Sequence, residues 1–200
     1  MKCLLVLWGS YRYAGMSKHL INIYIKQPYI YLILFEKLET FKNIFLYKLT
    51  GLNFLLILIL IAISFYTPFA VPLLFLLVSN LFDILGYHFT LIRRSTTMPE
   101  KEIIKAYRVN QFMFDVMLFI FLGLLFGWIP AFCGVILKLF GMQDITYYIF
   151  LQKSLPEEWT WLRWTPIGWF KNTLTKNDVI FQAALGFIFS YAILIFSIYK

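Results

Sequence analysis

Residues 51–92 read GLNFLLILILIAISFYTPFAVPLLFLLVSNLFDILGYHFTLI, and Asp83 carries the only formal charge among them. A helix needs roughly 20 apolar residues to cross a lipid bilayer, so this run is about long enough for two crossings. Pro68 divides the run, and proline is accommodated in the first turn of a helix, where its missing N–H has no intrahelical partner to lose. The stretch therefore predicts two membrane-spanning helices joined by a charge-free turn.

The composition of the whole chain supports this interpretation. Hydrophobic residues make up 61% of the 200 residues and charged residues only 14%, whereas soluble domains are about 45–50% apolar. The charges lie between the apolar runs, because a charge at the centre of a bilayer costs at least about 2.5–3.5 kcal/mol. The net charge of +8 is typical of cytoplasmic loops that contact anionic headgroups. We expect the lipid bilayer, and no nucleic acid, as a partner.

We predict an all-α, multi-pass integral membrane helix bundle with about five transmembrane helices, in a range of roughly four to six. Residues 1–43 are basic and amphipathic, and we expect them in the membrane interface, with a single span over residues 20–35 as the alternative. Residues 44–199 form the bundle. Its spans are predicted at residues 44–66, 68–91, 109–128, 129–151 and 179–199.

Local patterns refine the bounds of these spans. Pro99 and Glu100 are typical of a helix start, and Asn177 with Asp178 forms an N-cap candidate before the last span. The fourth span carries two charged residues. Its alternative is a short helix that ends at Gly141 and continues in the membrane interface.

The polar stretch 152–178 is rich in tryptophan, which is typical of an aromatic belt at headgroup depth. Ser154 and Glu157 match a capping box, so a helix is predicted after Pro156. Cys3 and Cys133 are isolated, and no disulfide framework is expected. The tryptophans are Trp159, Trp161, Trp164 and Trp169.

The basic residues predict the orientation of the chain. Residues 93–108 contain five Lys or Arg against two Glu, and residues 1–43 are also basic, so both are expected in the cytoplasm. The charge-free turns then lie outside, and stretch 152–178 returns to the cytoplasmic side. The apolar stretch from Leu4 to Trp8 is too short for a signal peptide. We expect the chain in the cell (inner or cytoplasmic) membrane with its N-terminus in the cytoplasm.

Three aspartates lie inside the predicted spans, where ionisable residues mark candidate functional sites. Asp83, Asp115 and Asp144 each lie seven or eight residues from the predicted cytoplasmic end of a span, which is roughly 10–12 Å of helix. Because three helices place a carboxylate at a similar depth, these side chains could converge. They are candidate catalytic and metal-ligating residues, since oxygen ligands suit Mg²⁺ and Mn²⁺.

Each aspartate has polar neighbours at helical spacing, so that each candidate span carries a polar stripe on one face. Such stripes are typical of helix faces that point into a bundle and away from lipid. The stripes are Asn80, Asp83 and Tyr87; Arg108, Gln111 and Asp115; and Asp144 with Tyr147 and Tyr148.

Basic residues near the aspartates complete the candidate site. His88 lies about 140° from Asp83 around an α-helix, so it is expected either to meet an aspartate of another span or to be an interfacial residue. Arg93 and Arg94 are candidates to bind a phosphate group. Lys138 is a candidate ion-pair partner for Asp115. This pairing belongs to the alternative in which the aspartates only stabilise the helix bundle.

The sequence contains none of the common nucleotide-binding, zinc-protease or serine-hydrolase motifs. The favoured interpretation is a small multi-pass membrane protein that acts in assembly, as a subunit of a larger membrane complex or as a homo-oligomer. The first alternative is an enzyme that modifies a lipid phosphate or polyprenyl phosphate at a cytoplasm-facing carboxylate site. Only that alternative implies a cofactor, Mg²⁺ or Mn²⁺. The second alternative is a small transporter component.

Overall fold

The computed structural model describes residues 38–92 and 100–199, and the side chains of residues 38–88 and 105–199. The described chain is mostly helical with one two-stranded sheet, which confirms the predicted all-α class apart from this short hairpin. The α-helices are α1 (Leu38–Phe45), α2 (Thr50–Ser64), α3 (Val71–Asp83), α4 (Glu100–Phe126), α5 (Trp128–Leu139), α6 (Met142–Phe150) and α7 (Lys176–Ile198). The other elements are a 3-10 turn (Pro68–Ala70), a π-helix (Ile84–Ile92) and the strands β1 (Glu158–Trp159) and β2 (Leu174–Thr175).

The contacts within the chain divide it into two units, Met1–Leu46 and Tyr47–Lys200. The described part of the first unit is mainly α1, in which the rings of Phe41 and Phe45 stack with centroids 6.1 Å apart. Most of the predicted interfacial segment 1–43, and its alternative span over residues 20–35, lie outside the described residues.

Three described helices are long and apolar enough to cross a membrane, and the number rises to five if each of two bent helix pairs counts as one crossing. The predicted pattern of several long apolar helices is therefore present, and about five spans is its upper count. The three unbent candidates are Pro68–His88, Lys105–Phe126 and Lys176–Ile198.

The helix inside the predicted first span, residues 44–66, has narrower bounds than the span. Lys48 has a left-handed backbone with φ 53°, which interrupts a right-handed helix, so α2 begins only at Thr50. The 15 residues of α2 end at Ser64. At about 1.5 Å per residue such a helix is roughly 22 Å long, which is less than the roughly 30 Å of a hydrocarbon core.

The second predicted span begins where the sequence indicates. The Thr67 hydroxyl accepts a hydrogen bond from the Phe69 N–H at 3.4 Å, and Pro68 occupies the first position of the 3-10 turn. The helix then continues without a break, but it changes from α to π winding at Ile84. A π-helix has more residues per turn, so the angle between successive side chains is smaller there than in an α-helix.

The third and fourth predicted spans also differ in their bounds. Helix α4 is described from Glu100 onward, which is well before residue 109. The fourth span, 129–151, consists of α5 and α6, which meet at an angle of 73°. The short helix of the alternative, which ends near Gly141, is therefore present, while its interfacial continuation stays a prediction. Gly141 has φ 80°, a conformation that glycine adopts at little cost.

Helices α3 and α5 form the centre of the bundle. Helix α3 contacts α2, α4, α5 and α6, and α5 also contacts α4 and α7. Their axes approach closely at Gly134, where an added Cβ would lie 2.5 Å from the Phe75 Cβ. Small residues permit such close packing of helices, which is the main source of association within lipid.

Residues 151–175, here called the cap segment, fold differently from the prediction. Trp159 is fully buried with Leu162 and Leu174, and its indole N–H donates to the Pro156 carbonyl at 2.8 Å. The aromatic-belt interpretation is therefore wrong for Trp159, because this side chain belongs to a small internal core. The helix predicted after Pro156 is also wrong, since an antiparallel pairing of β1 and β2 follows.

The last helix begins one turn earlier than its predicted span. Thr175, and not Asn177 or Asp178, is the N-cap of α7. The Thr175 hydroxyl accepts from the Asp178 N–H, and the Asp178 carboxylate accepts in return from the Thr175 N–H. This capping box satisfies two backbone donors at the helix start.

Candidate functional site: a polar cavity beside an apolar groove

A cavity of about 300 Å³ lies where the π-helix, the start of α4, helix α6 and the cap segment meet. We call it the polar cavity. Residues from all three predicted polar stripes line it, so these helix faces do point into the bundle. Its polar lining residues are Asp83, Arg108, Gln111 and Asp144. Its aromatic lining residues are Tyr87, Tyr107, Tyr147, Tyr148 and Trp161.

The Asp83 carboxylate is surrounded by neutral hydrogen-bond donors. The Tyr107 hydroxyl donates to it at 2.5 Å, and the Gln111 amide lies 2.9 Å from both of its oxygens. The Gln143 amide also donates to it. These contacts disperse the negative charge of Asp83 but do not neutralise it, because none of the donors is a cation. Asp83 forms no ion pair with a described residue.

Asp115 has a different environment. The Lys138 ammonium lies 2.6 and 2.5 Å from its two oxygens, and the Ser79 hydroxyl donates to it at 3.2 Å. The predicted Lys138–Asp115 ion pair is therefore present, and it joins α4 to α5. Asp115 does not line the polar cavity.

The Asp144 carboxylate accepts a side-chain hydrogen bond from the Trp161 indole N–H at 3.1 Å. Within the described side chains no Lys or Arg lies within 4.0 Å of it. Arg108 lines the same cavity without an ion pair to either aspartate. Two carboxylates thus face one cavity, while the third is neutralised beside it.

A second, larger opening of about 590 Å³ adjoins the polar cavity. We call it the apolar groove. It lies mainly between α4 and α5, and it shares Arg108, Gln111 and Asp144 with the polar cavity. Its charged members Asp115 and Lys138 are paired with each other. Its main apolar lining residues are Phe112, Val116, Phe119, Phe132, Val135 and Leu139.

Besides Asp115, the structure leaves two further residues named from the sequence, His88 and Asn80, out of the polar cavity. His88 is buried, and its Nε2 shares a hydrogen bond with the Tyr47 hydroxyl at 3.0 Å, not with an aspartate. The predicted angle of about 140° between His88 and Asp83 around an α-helix is wrong, because residues 84–92 have π winding. Asn80 is fully buried but does not line the cavity. Arg93 and Arg94 lie outside the described residues.

Sequence reasoning missed three residues of this site. Tyr107 lies four residues before Gln111, so helical spacing could have identified it. Gln143 adjoins Asp144 but points toward Asp83, which only the bend between α5 and α6 makes possible. Trp161 comes from the cap segment, and no periodic pattern in the sequence indicates its contact with Asp144.

The arrangement does not favour the divalent cation that the enzyme alternative requires. Within the described part of the chain, no group of three His, Cys, Asp or Glu side chains could hold a metal ion. The oxygens of Asp83 already accept hydrogen bonds from Tyr107, Gln111 and Gln143, and those of Asp115 contact Lys138. A metal ion would have to displace these donors from at least one carboxylate.

Comparison with known proteins assigns the chain to no family, so only its geometry indicates which class of protein it is. No protein-family model matches the chain, and neither a curated protein nor a solved structure matches it. The described chain is an all-α protein with three to five candidate membrane helices. Its most developed site is a polar, aromatic cavity that opens into an apolar groove.

Proposed function

We propose that this chain is a small multi-pass membrane protein that binds an amphipathic, lipid-like ligand. The observation that supports this proposal is the adjacency of the polar cavity and the apolar groove, which share Arg108, Gln111 and Asp144. A ligand with a polar head and an apolar chain matches that pair of environments. Their volumes of about 300 and 590 Å³ fall in the roughly 300–1,000 Å³ range of ligand pockets.

The apolar groove is accessible from the side of the bundle. Phe112 is 65% exposed, Phe132 50% and Val116 37%, so the groove walls continue into the outer apolar surface. In a bilayer that surface contacts acyl chains. A lipid could therefore enter the groove laterally without first leaving the membrane.

The proposed topology has five spans, with each bent helix pair counted once, and places the polar cavity on the cytoplasmic side. The cavity lies at the end of the bundle where α4 begins and the cap segment folds, and the basic-loop pattern assigns that end to the cytoplasm. The turns at the other end meet through the rings of Phe65 and Phe126, whose centroids are 5.2 Å apart. We propose the cell membrane as the location, with a cytoplasmic N-terminus.

The test is native mass spectrometry of the protein in detergent, titrated with phospholipid. Val116→Trp should fill the groove and reduce the fraction of lipid-bound protein at least about tenfold. Leu124→Trp is the matched control, because Leu124 lies on the same helix, is 71% exposed and does not line the groove. Equal lipid binding by the two variants, or no bound lipid in the parent, would overturn the proposal.

A structural role, as an assembly factor or a subunit of a complex, is the second candidate. The Lys138–Asp115 pair and the donors around Asp83 favour it, since they stabilise the bundle without any ligand. In that case the protein would carry no lipid adduct in the same titration. Chemical crosslinking in membranes would instead join it to a second chain. Enzymatic modification of the ligand and transport of the ligand are predicted from the sequence alone.

A further inference from the structure

We infer, on the basis of the proposed function, that the polar cavity binds the ammonium group of a zwitterionic phospholipid headgroup, of the choline or ethanolamine type. The bound lipid would place its phosphate near Arg108 and an acyl chain in the apolar groove. Three features of the described residues support this assignment: the aromatic wall, the carboxylates without counter-ions, and the position of Arg108.

The aromatic wall of the cavity is continuous. The ring centroids of Tyr87 and Tyr107 are 5.6 Å apart, and those of Tyr87 and Tyr147 are 6.4 Å apart. Tyr147 in turn contacts Tyr148 at 5.6 Å, and Trp161 lines the same cavity. The faces of such rings carry negative electrostatic potential and attract ammonium groups, quaternary ammonium in particular.

The carboxylates in the cavity add negative charge. Among the described side chains, Trp161 donates a hydrogen bond to Asp144, and no cation forms an ion pair with it. Asp83 accepts hydrogen bonds only from neutral groups, whereas Asp115, outside the cavity, is paired with Lys138. A cation in the cavity would compensate this charge, and an anionic headgroup would be repelled by it.

Arg108 provides the complementary site for a phosphate. It lines both the polar cavity and the apolar groove, it is exposed, and it is unpaired with any described carboxylate. In a zwitterionic phospholipid the phosphate lies between the ammonium group and the acyl chains. Arg108 lies where the cavity meets the groove, together with Gln111 and Asp144. A lipid with its ammonium group in the cavity and a chain in the groove therefore places its phosphate beside Arg108. A guanidinium group is well suited to phosphate oxygens.

The test compares phospholipids with identical acyl chains by native mass spectrometry of the full chain. Phosphatidylcholine or phosphatidylethanolamine should bind at least about tenfold more tightly than phosphatidylglycerol. Asp144→Asn should remove most of this preference, because the amide can still accept from Trp161 but carries no charge. Glu157→Gln is the matched control: it also removes one negative charge, and Glu157 is exposed outside the cavity.

A second pair of variants does not depend on the carboxylate. Tyr87→Phe keeps the ring and should keep the preference for zwitterionic lipid, and Tyr87→Leu should lose it. Equal binding of all headgroups by the parent would overturn the inference but leave the proposed function in place. Failure of every lipid to bind would overturn both. If free choline or ethanolamine binds as tightly as the matching phospholipid, the assignment to a lipid headgroup is overturned.

Discussion

Replacing Lys138 with methionine should destabilise the bundle by about 3 kcal/mol, because it leaves the Asp115 carboxylate buried without its cation. The two side chains are only 12% and 20% exposed, and the ammonium lies 2.5 Å from the nearer oxygen. Removing one partner of a buried ion pair costs roughly 3–5 kcal/mol. The lower end applies here, since some solvent contact remains and the Ser79 hydroxyl still donates to Asp115 at 3.2 Å.

The measurement is a double-mutant cycle on the unfolding of the detergent-solubilised protein. For a chain of this size, about 3 kcal/mol corresponds to a fall in Tm of roughly 6–12 °C. The double variant Lys138→Met/Asp115→Leu removes both charges and their desolvation cost, so it should lie within about 1 kcal/mol of the parent. Comparison with Asp115→Leu alone then gives the coupling energy of the pair, which should be at least about 2 kcal/mol.

Two results would refute this reasoning. The first is a Lys138→Met variant whose free energy of unfolding stays within about 0.5 kcal/mol of the parent. The second is a double variant whose loss equals the sum of the two single losses, because additivity means that the two groups do not interact. Either result would mean that Lys138 does not neutralise Asp115 in the folded protein.

Three further predictions concern packing and capping. Gly134→Ala should cost about 1–3 kcal/mol in the same unfolding assay, because the new methyl group would lie 2.5 Å from the Phe75 Cβ; an unchanged Tm would contradict it. Thr175→Val should cost about 1 kcal/mol by removing the N-cap of α7. Amide exchange should then accelerate in the first turn of that helix, and an unchanged exchange rate there would argue against the cap. Trp159→Ala should cost about 3–5 kcal/mol and open residues 151–175 to limited proteolysis, since Trp159 is the largest fully buried side chain there; parent-like protease resistance would exclude this role.

The sequence predicts the cavity-lining stripes well, because helical spacing is a local property. Asp83 and Tyr87, and likewise Arg108 and Gln111, line the cavity as their spacing indicates. Trp161 could not be predicted, because its contact with Asp144 depends on how residues 151–175 fold back over the bundle. That contact joins the cap segment to helix α6, and no periodic pattern in the sequence indicates it.

The helices show the same difference: features that are set within one turn can be predicted from the sequence, and features that depend on packing cannot. Pro68 marks a helix start correctly, because capping and proline effects act within one turn. The break at Lys48 and the π winding of residues 84–92 have no such signal. A continuously apolar run has the same composition whether the helix is straight, broken or underwound into π geometry, so packing against neighbouring helices decides among these forms.

In the proposed membrane topology, in which α5 and α6 together count as one span, the shortness of α5 has a consequence for the surrounding bilayer. Its 12 residues give a rise of roughly 18 Å, well below the roughly 30 Å thickness of a hydrocarbon core. The chain then turns by 73° into α6. Hydrophobic mismatch of this kind is relieved by local thinning of the bilayer. Beside α5 we therefore expect the lipid headgroups to lie closer to the centre of the bilayer than elsewhere. A lipid headgroup at that position would reach the level of the Asp144 carboxylate while its acyl chains stay in the membrane.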